Sequence, residues 1–430
     1  MERSAMEYLD SWRKKEKRKP LIVRGARQVG KTWLVKEFGK RSYEQVAYVN
    51  FESSKLLGNL FTEDYDTDRI ISAIKIETGL HIEAENTLII FDEIQEAEGG
   101  ITALKYFYED APQYHIIAAG SLLGVALHKS ASFPVGKIDF LDLFPLSFSE
   151  FLNAMGQSQL LKVLNNKEWT LVKNFKAKYT QLLKKYYFTG GMPEAVLSFA
   201  GSGDYYEVRQ IQNRILLAFE QDFSKHAPVE IIPRIRMLWN SIPSQLAKEN
   251  RKFIYSVIKK GSRAKDFELA LQWLIDCGLA YKITRISKPG IPLKAYEDIN
   301  AFKLFTVDTG LMAAMGNINA KTLLDGNIIF EEYKGALTEQ YVLQQLKTLP
   351  GVAVHYWSSP QSSGEVDFVL QYGENVVPLE VKAKENLQSK SLKSFYQKYP
   401  GTLPVRTSMS DFRKEDWLVN LPLYAIHLLP

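Results

Sequence analysis

Apolar runs and stretches of mixed polarity alternate through the first 150 residues of the chain. Short continuous apolar runs predict buried strands, and the longer mixed stretches between them predict helices. This alternation is typical of a parallel sheet whose strands are joined by crossover helices. The predicted strands are Leu21–Arg24, Val46–Asn50, Leu88–Phe91, His115–Ala119 and Lys137–Leu143.

The pattern changes beyond residue 150. Residues 150–220 are predicted to be mainly helical, with a break at Thr189–Pro193. Farther along, an amphipathic helix over Arg263–Cys277 precedes two strands, Leu279–Ile286 and Ala301–Val307. A helix followed by two strands is the order of elements in a winged helix.

The C-terminal part begins with a predicted helix, Tyr333–Leu346, and its predicted strands are His355–Trp357, Glu365–Gln371 and Val376–Lys382. The Gly- and Asn-containing segment Gly316–Asn327 is the predicted linker before it. We therefore predict an α/β protein with three domains, at residues 1–220, 221–325 and 326–430.

Composition narrows the class of protein. The 430 residues are 46% hydrophobic and 24% charged, as in ordinary globular proteins, and no apolar run is long enough for a membrane span. The N-terminus is charged and lacks an apolar signal core, so secretion is not expected. Cys277 is the only cysteine, which excludes an intramolecular disulfide and a cysteine metal cluster and fits a reducing cytoplasm. We expect Cys277 to be a buried small residue.

The net charge of +5 is only weak support for nucleic-acid binding. Basic residues are densest over Arg13–Lys19, a run that can be a solvated helix end or a contact with nucleic acid or a partner. The helix Arg263–Cys277 would occupy the recognition position of a winged helix, but its polar residues are of mixed sign. DNA contact and packing between domains both stay open for it.

One loop carries a strong chemical signal. Residues 25–32 read G-x-x-x-x-G-K-T and lie between the first predicted strand and a helical stretch, Trp33–Phe38. Glycines let the backbone curl so that its N–H groups point at phosphate oxygens, and the following helix adds its positive end. Lys31 is predicted to reach the β- and γ-phosphates of ATP, and Thr32 to hold Mg²⁺. The predicted nucleotide-binding residues are Gly25, Ala26, Arg27, Gln28, Val29, Gly30, Lys31 and Thr32.

Polar residues also end two later strands of the same predicted sheet. The apolar run Thr87–Phe91 is followed by Asp92 and Glu93. Asp92 is predicted to hold the metal through water or through Thr32, and Glu93 to orient and deprotonate the attacking water. Ser121, after the strand His115–Ala119, is the candidate for sensing the γ-phosphate.

These blocks resemble an AAA-type ATPase, as do Phe144–Phe151 and Gly190–Glu194. The combination is similar to a prokaryotic AAA-like family that is related to the archaeal ATPases and to STAND NTPases. Lys303–Leu311 also matches, so the resemblance extends over nearly the whole chain. Members of this family carry a C-terminal domain of uncharacterised function.

The resemblance implies a homo-oligomer that forms in an ATP-dependent way, because AAA-like sites are often completed across a subunit interface. The family usually has Gly-Arg before the Pro-Leu-Ser block, whereas this chain has Gly136 and Lys137. Lysine supplies charge without the forked geometry of arginine. Arg27 and Lys137 are the candidates for a cation supplied within the same chain.

A second set of chemical residues lies near the C-terminus. Asp367 falls early in one predicted strand, and Glu380 and Lys382 share one face of the next, because alternate strand residues point the same way. Paired carboxylates bind a divalent metal, and Lys382 can position or polarise a water. Glu339, on the preceding helix, can add a third carboxylate.

This set resembles the PD-(D/E)xK nuclease superfamily, with its helix Glu, strand Asp and E-x-K. The resemblance implies a restriction-endonuclease-like domain in which Glu339, Asp367, Glu380 and Lys382 are catalytic and Asp367 and Glu380 bind metal. Lys384 adds positive charge that can meet a phosphate backbone. A strand with surface charges, or a nuclease fold with lost or regulatory chemistry, are the alternatives.

The resulting hypothesis is a cytoplasmic, Mg²⁺-dependent ATPase that acts on DNA through a nuclease-like domain, with no membrane contact. The rival is a STAND-like switch whose nucleotide state controls assembly, with the C-terminal domain as a protein-binding module. An ATP-driven DNA motor without cleavage is a third alternative.

Overall fold

The computed structural model describes residues 1–54, 57–121, 136–248, 252–325, 331–359, 364–385 and 388–429. The chain divides into two compact units. The first comprises Met1–Phe144 and Asp276–Leu279, and the second comprises Pro145–Ile275 and Ala280–Pro430.

The first unit is built on a parallel sheet with the strand order β2-β3-β4-β1-β5. Its strands are Leu21–Arg24 (β1), Gln45–Asn50 (β2), Thr87–Asp92 (β3), His115–Ala119 (β4) and Asp139–Asp142 (β5). Its helices are Ala5–Arg13 (α1), Lys31–Ser42 (α2), Thr67–Thr78 (α3) and Gly100–Asp110 (α4), with a 3-10 turn at Ile94–Glu96. The predicted parallel α/β sheet is confirmed. Strands β3 and β4 are buried along their whole length, as their continuous apolar runs predicted.

The topology of this sheet brings the predicted phosphate chemistry to one edge. Because all five strands run parallel, their carboxyl ends meet at the same edge. The loop 25–32 leaves β1 at that edge, Glu93 follows β3 and Ser121 lies just beyond β4. Three segments that are distant in sequence therefore converge.

The second unit combines helices with a mixed sheet of the order β12-β13-β11-β10-β9-β8-β6-β7. Its strands are Ala280–Ile286 (β6), Glu297–Thr306 (β7), Val352–Ser358 (β8), Glu365–Tyr372 (β9), Asn375–Val381 (β10), Val405–Ser408 (β11), Arg413–Lys414 (β12) and Val419–Pro422 (β13). Its helices before the sheet are Phe148–Ala154 (α5), Ser158–Asn165 (α6), Trp169–Asn174 (α7), Lys176–Thr189 (α8), Pro193–Ser202 (α9), Tyr205–His226 (α10), Ile232–Leu246 (α11), Tyr255–Ile258 (α12) and Ala264–Asp276 (α13). The helices that follow are Thr309–Met315 (α14), Ala320–Asp325 (α15), Glu331–Lys347 (α16) and Lys390–Lys398 (α17).

The hairpin of the predicted winged helix is continuous with the C-terminal sheet. Strands β6 and β7 pair antiparallel, and β6 also pairs in parallel with β8 through Arg285 and Tyr356. The predicted boundary at residue 325 therefore divides strands of one sheet, and the three-domain division stays a prediction. Helix α15 occupies much of the predicted linker, because Asn319 accepts a hydrogen bond from Thr322 N at 2.7 Å and Leu323 is buried.

Two of the motifs that carry the family resemblance meet in a buried polar network. Asp308 Oδ2 accepts hydrogen bonds from Gly191 N at 2.6 Å and from Gln344 Nε2 at 3.0 Å, and Asp308 Oδ1 accepts one from Leu311 N at 2.9 Å. Burial raises the pKa of Asp308, although these hydrogen-bond donors act to lower it. A Cβ on Gly190 would lie only 2.1 Å from Asp308 Oδ1. The network thus joins the turn after α8 to α14 and α16.

In the part of the chain that the structure describes, no helix is long and apolar enough to span a membrane. Cys277 is buried there, as predicted.

Candidate nucleotide and carboxylate sites

The loop 25–32 curls as its glycines predict. Gly25 has φ of 151° and Gly30 has φ of 93°, and even Gln28 takes a positive φ of 67°. A Cβ on Gly25 would lie 2.2 Å from Leu143 O, so only glycine fits at that position. Helix α2 begins at Lys31, within the last two residues of the loop, so its N-terminal N–H groups face the same space.

Lys31 closes over this loop. Its Nζ donates hydrogen bonds to Gly25 O at 2.9 Å and to Ala26 O at 2.8 Å. Burial lowers the pKa of Lys31 to about 8, although the nearby Glu93 and Asp92 carboxylates act to raise it. The ammonium is thus desolvated and held beside the backbone that would contact phosphate.

Thr32 and Asp92 form an oxygen-rich contact beside the loop. Thr32 Oγ1 donates to Asp92 Oδ2 at 2.9 Å, and Tyr48 OH donates to the same oxygen at 2.8 Å. Asn50 Nδ2 donates in turn to Tyr48 OH at 3.2 Å. Hydroxyl and carboxylate oxygens are the ligands that Mg²⁺ prefers, so these residues fit the predicted metal.

Glu93 lies next to Asp92 in a strained conformation, with a positive φ of 50°. Its Oε2 accepts a hydrogen bond from Ser121 N at 3.2 Å, and its Oε1 accepts one from Ser121 Oγ at 3.1 Å. Gln95 Nε2 also donates to Glu93 Oε2. The structure therefore brings the predicted base and the predicted phosphate sensor into direct contact.

Several residues around this site were not predicted from the sequence. Tyr48 and Asn50 lie on β2, and the pairing of β2 with β3 sets Asn50 opposite Asp92. Their place in the site can therefore be inferred only once the pairing of the strands is known. Arg3 donates to Val29 O at 3.0 Å and to Phe144 O at 2.6 Å and thereby ties the N-terminus to the loop. Gly278 contacts the loop at Ala26 N, where an added Cβ would lie 3.2 Å away. Neither Arg3 nor Gly278 carries a local sequence signal.

The basic residues that sequence reasoning considered are largely engaged within the first unit. Lys137 Nζ pairs with Glu109 Oε1 at 3.2 Å. In the run Arg13–Lys19, Arg13 lies 4.7 Å from the centre of the Tyr43 ring, and Lys15 pairs with Asp139 at 3.0 Å. These contacts engage Arg13 and Lys15 within the unit, and both interpretations of the run stay predictions.

The second carboxylate set lies where β9 and β10 pair. The paired register of the two strands ends at Leu379 and Phe368, and Glu380 and Asp367 are the next residues on each strand. Asp367 Oδ2 accepts a hydrogen bond from Val381 N at 2.8 Å, and Glu380 Oε1 pairs with Lys382 Nζ at 2.8 Å. Lys382 follows the strand, which ends at Val381. The structure thus brings together Asp367, Glu380 and Lys382.

Glu380 also has an oxygen suited to a cation. Its Oε2 is buried and accepts no hydrogen bond from the residues that the structure describes. Mg²⁺ is commonly held by one or two carboxylates together with substrate phosphates and water, so Asp367 and Glu380 fit such an ion.

Glu339 lies beside a buried lysine that was not predicted. Its Oε2 lies 3.6 Å from Lys303 Nζ, and Lys303 also pairs with Glu365. Lys303 is fully buried, and no sequence signal marked it as an internal cation. Across the described ranges, no three or more His, Cys, Asp or Glu side chains are grouped to hold a metal ion. Glu339 thus has a buried lysine beside it, and its place in the carboxylate set stays a prediction.

Comparisons with known families divide the chain into three matches. Residues 17–152 match the AAA domain family. Residues 180–322 match a domain of unknown function, DUF8612, and residues 334–426 match another, DUF4143. The search of curated proteins found no significant match.

Solved structures that resemble the chain include a Walker-type ATPase of Pyrococcus abyssi, which is 14% identical with a TM-score of 0.44 over 72% of this chain and 94% of that chain. The Aeropyrum pernix ORC1 protein in complex with DNA is 12% identical, with a TM-score of 0.28 over 73% and 90%. Drosophila ORC bound to DNA is 13% identical, with a TM-score of 0.26 over 73% and 94%. These values are too low to carry a functional argument.

The AAA family match and the phosphate loop, acid pair and parallel sheet fall in the same part of the chain. Residues 17–152 therefore match the AAA domain family and have a parallel sheet that resembles the P-loop ATPase fold.

Proposed function

We propose that this AAA domain binds ATP with Mg²⁺ and hydrolyses it. The contact between Thr32 and Asp92 beside Lys31 is the observation that carries this proposal. The loop amides and the Lys31 ammonium would bind the phosphates, while Thr32 and Asp92 would hold the metal. When bound, Mg²⁺ would offset the charge on the phosphate oxygens. Glu93 would orient and deprotonate the attacking water, and Ser121 would position Glu93.

We further propose that the chain acts on nucleic acid through Asp367, Glu380 and Lys382. The convergence of Asp367 and Glu380 on paired strands supports a divalent-metal site, and the open Glu380 oxygen gives it a ligand. Lys382, beside Glu380, would position a water or meet a phosphate. Glu339, which lies beside the buried Lys303, would act on the charge of this site from the neighbouring interior.

A cleavage assay tests the nuclease proposal. The protein is incubated with Mg²⁺ or Mn²⁺ and branched, duplex or single-stranded DNA, with and without ATP. Metal-dependent cleavage that Asp367→Asn and Glu380→Gln abolish, at unchanged ATP hydrolysis, is the expected result. Glu374→Gln is the matched control, because Glu374 lies in the turn between β9 and β10, away from the paired acids. Cleavage that survives both variants would remove these residues as the site.

A nucleotide-controlled switch with a non-catalytic C-terminal domain is the second candidate. The absence of a three-ligand metal group among the described residues, and the buried Lys303 beside Glu339, favour it. It predicts no cleavage of any DNA, together with a change of oligomeric mass when an ATP analogue binds. Cleavage that depends on Asp367 would refute this candidate.

A further inference from the structure

A groove beside the second carboxylate set is rich in lysine. It encloses about 970 Å³ and lies within the second unit, between α7, α8 and the loop that follows β10. Its charged lining residues are Lys173, Lys176, Lys184, Lys185, Asp325 and Glu385. We call this surface the lysine groove. Four lysines against two carboxylates give it an excess of positive charge.

The lysines are spaced along the groove and do not meet at one point. Lys176 and Lys184 are eight positions apart on α8, so about two helical turns, or about 12 Å, separate them along one face. Thr180 lies between them on the same face and also lines the groove. A row of cations over that length matches a chain of phosphates better than it matches a single small anion.

The ammonium groups keep capacity for a ligand. Lys184 Nζ donates to Leu324 O at 2.6 Å, and Lys185 lies 6.0 Å from the centre of the Phe199 ring. Lys173 is exposed. An ammonium has three donors, so one contact to a carbonyl leaves two for phosphate oxygens.

The fourth lysine, Lys176, is paired with Glu385, which would compete with a phosphate for it. Lys176 Nζ pairs with Glu385 Oε1 at 2.5 Å and lies 3.6 Å from Asp411 Oδ1. The Glu385 side chain is 67% exposed, so its pairing with Lys176 is open to exchange with an incoming anion. A phosphate in the groove would take the place of this carboxylate.

The lysine groove is also close to the carboxylate pair along the chain. Glu385 lies three residues after Lys382, which limits the distance between their Cα atoms to about 11 Å. Lys382 contacts Glu380 directly. A nucleic-acid strand that lies in the groove would therefore pass within a few nucleotides of the proposed metal site.

We infer that the lysine groove binds the phosphate backbone of a nucleic-acid strand and leads it toward Asp367, Glu380 and Lys382. This inference rests on the proposed action on nucleic acid and names the surface that holds the substrate. Lys173, Lys184 and Lys185 would contact successive phosphates. Glu385 would weaken binding by occupying Lys176.

Binding of labelled oligonucleotides to the full chain tests the inference. Fluorescence anisotropy is measured on single-stranded and duplex DNA over a series of salt concentrations. The combined variant Lys173→Gln, Lys184→Gln and Lys185→Gln should bind at least roughly tenfold more weakly, with a smaller salt slope by roughly two, because fewer counterions are released. Glu385→Gln should bind more tightly than the unaltered chain. Lys162→Gln, which removes an exposed lysine of α6 outside the groove, should change neither value.

The outcomes separate the groove from the proposed function. DNA binding at full strength by the triple variant would overturn the groove and leave the nuclease proposal standing. No binding of any oligonucleotide by the unaltered chain, with Mg²⁺ and nucleotide present, would overturn both. If polyglutamate binds as tightly as DNA and the triple variant loses that binding, the groove would be assigned to an acidic protein segment instead. Melting temperatures check the fold of the triple variant, and Glu385→Gln provides a gain of binding that loss of folding cannot produce.

Discussion

The pKa of Lys31 predicts how nucleotide affinity depends on pH. Burial lowers this pKa to about 8 in the protein. The negative charge of bound phosphates favours the ammonium form, so binding raises the pKa again. Nucleotide binding must therefore take up a proton wherever free Lys31 is deprotonated. Affinity is therefore close to its full value at about pH 7 and falls as the pH rises through the pKa of about 8.

The size of the effect follows from the same value. With a pKa of about 8, roughly nine-tenths of Lys31 side chains are charged at pH 7 and roughly one-tenth at pH 9. The dissociation constant for Mg²⁺–ADP should thus rise roughly tenfold over this interval, or by about 1.4 kcal/mol. At pH 8, about half a proton should be taken up for each nucleotide bound.

Isothermal titration calorimetry in two buffers of different ionisation enthalpy measures both quantities. Lys31→Arg is the matched control, because arginine keeps its charge throughout this pH range. Its proton uptake at pH 8 should be near zero, and its affinity should change little between pH 7 and pH 9. A flat affinity in the unaltered protein would refute the reasoning, as would an equal slope in Lys31→Arg.

Three further predictions follow from other contacts. Tyr48→Phe removes one hydrogen-bond donor to Asp92, a loss of about 1.5 kcal/mol. The Mg²⁺ concentration for half-maximal ATPase activity should therefore rise about tenfold. An unchanged Mg²⁺ titration would show that Tyr48 does not position Asp92. Gly190→Ala should lower the free energy of unfolding by about 3 kcal/mol or more. Gly203 has a similar φ but open space around it, so Gly203→Ala should lower it by only about 1–2 kcal/mol. Equal losses in denaturant titrations would mean that crowding at Asp308 is unimportant. Light scattering should detect a larger particle with an ATP analogue than without it, and a monomer that hydrolyses ATP at full rate in both conditions would count against self-association.

The sequence predicted the elements whose signal is local. Strands β1 to β5 are short apolar runs, and each was found within two residues of its predicted bounds. The loop 25–32 and the two acids at the end of β3 could be predicted because each lies on one continuous stretch of chain. The same holds for Glu380 and Lys382, which lie two positions apart and pair with each other, although the strand ends at Val381.

Elements that depend on tertiary contacts could not be predicted in this way. Strand β11 is fully buried although it contains Arg406 and Ser408, because Arg406 donates to Asn420 Oδ1 at 2.8 Å and to Glu415 Oε1 at 3.0 Å. A four-residue segment with three polar residues gives no local sign of such partners. The pairing of Glu339 with Lys303 likewise joins residues 36 positions apart in the sequence.

Glu93→Gln tests most directly the central claim that this domain hydrolyses ATP with Glu93 as the base. The substitution keeps the size and shape of the side chain while it removes the carboxylate. Nucleotide binding by calorimetry and single-turnover ATP hydrolysis are measured on the same preparation. The account predicts binding within about twofold of the unaltered protein and hydrolysis slowed by at least about a hundredfold, the usual contribution of a general base. Hydrolysis at the unaltered rate by Glu93→Gln would contradict it.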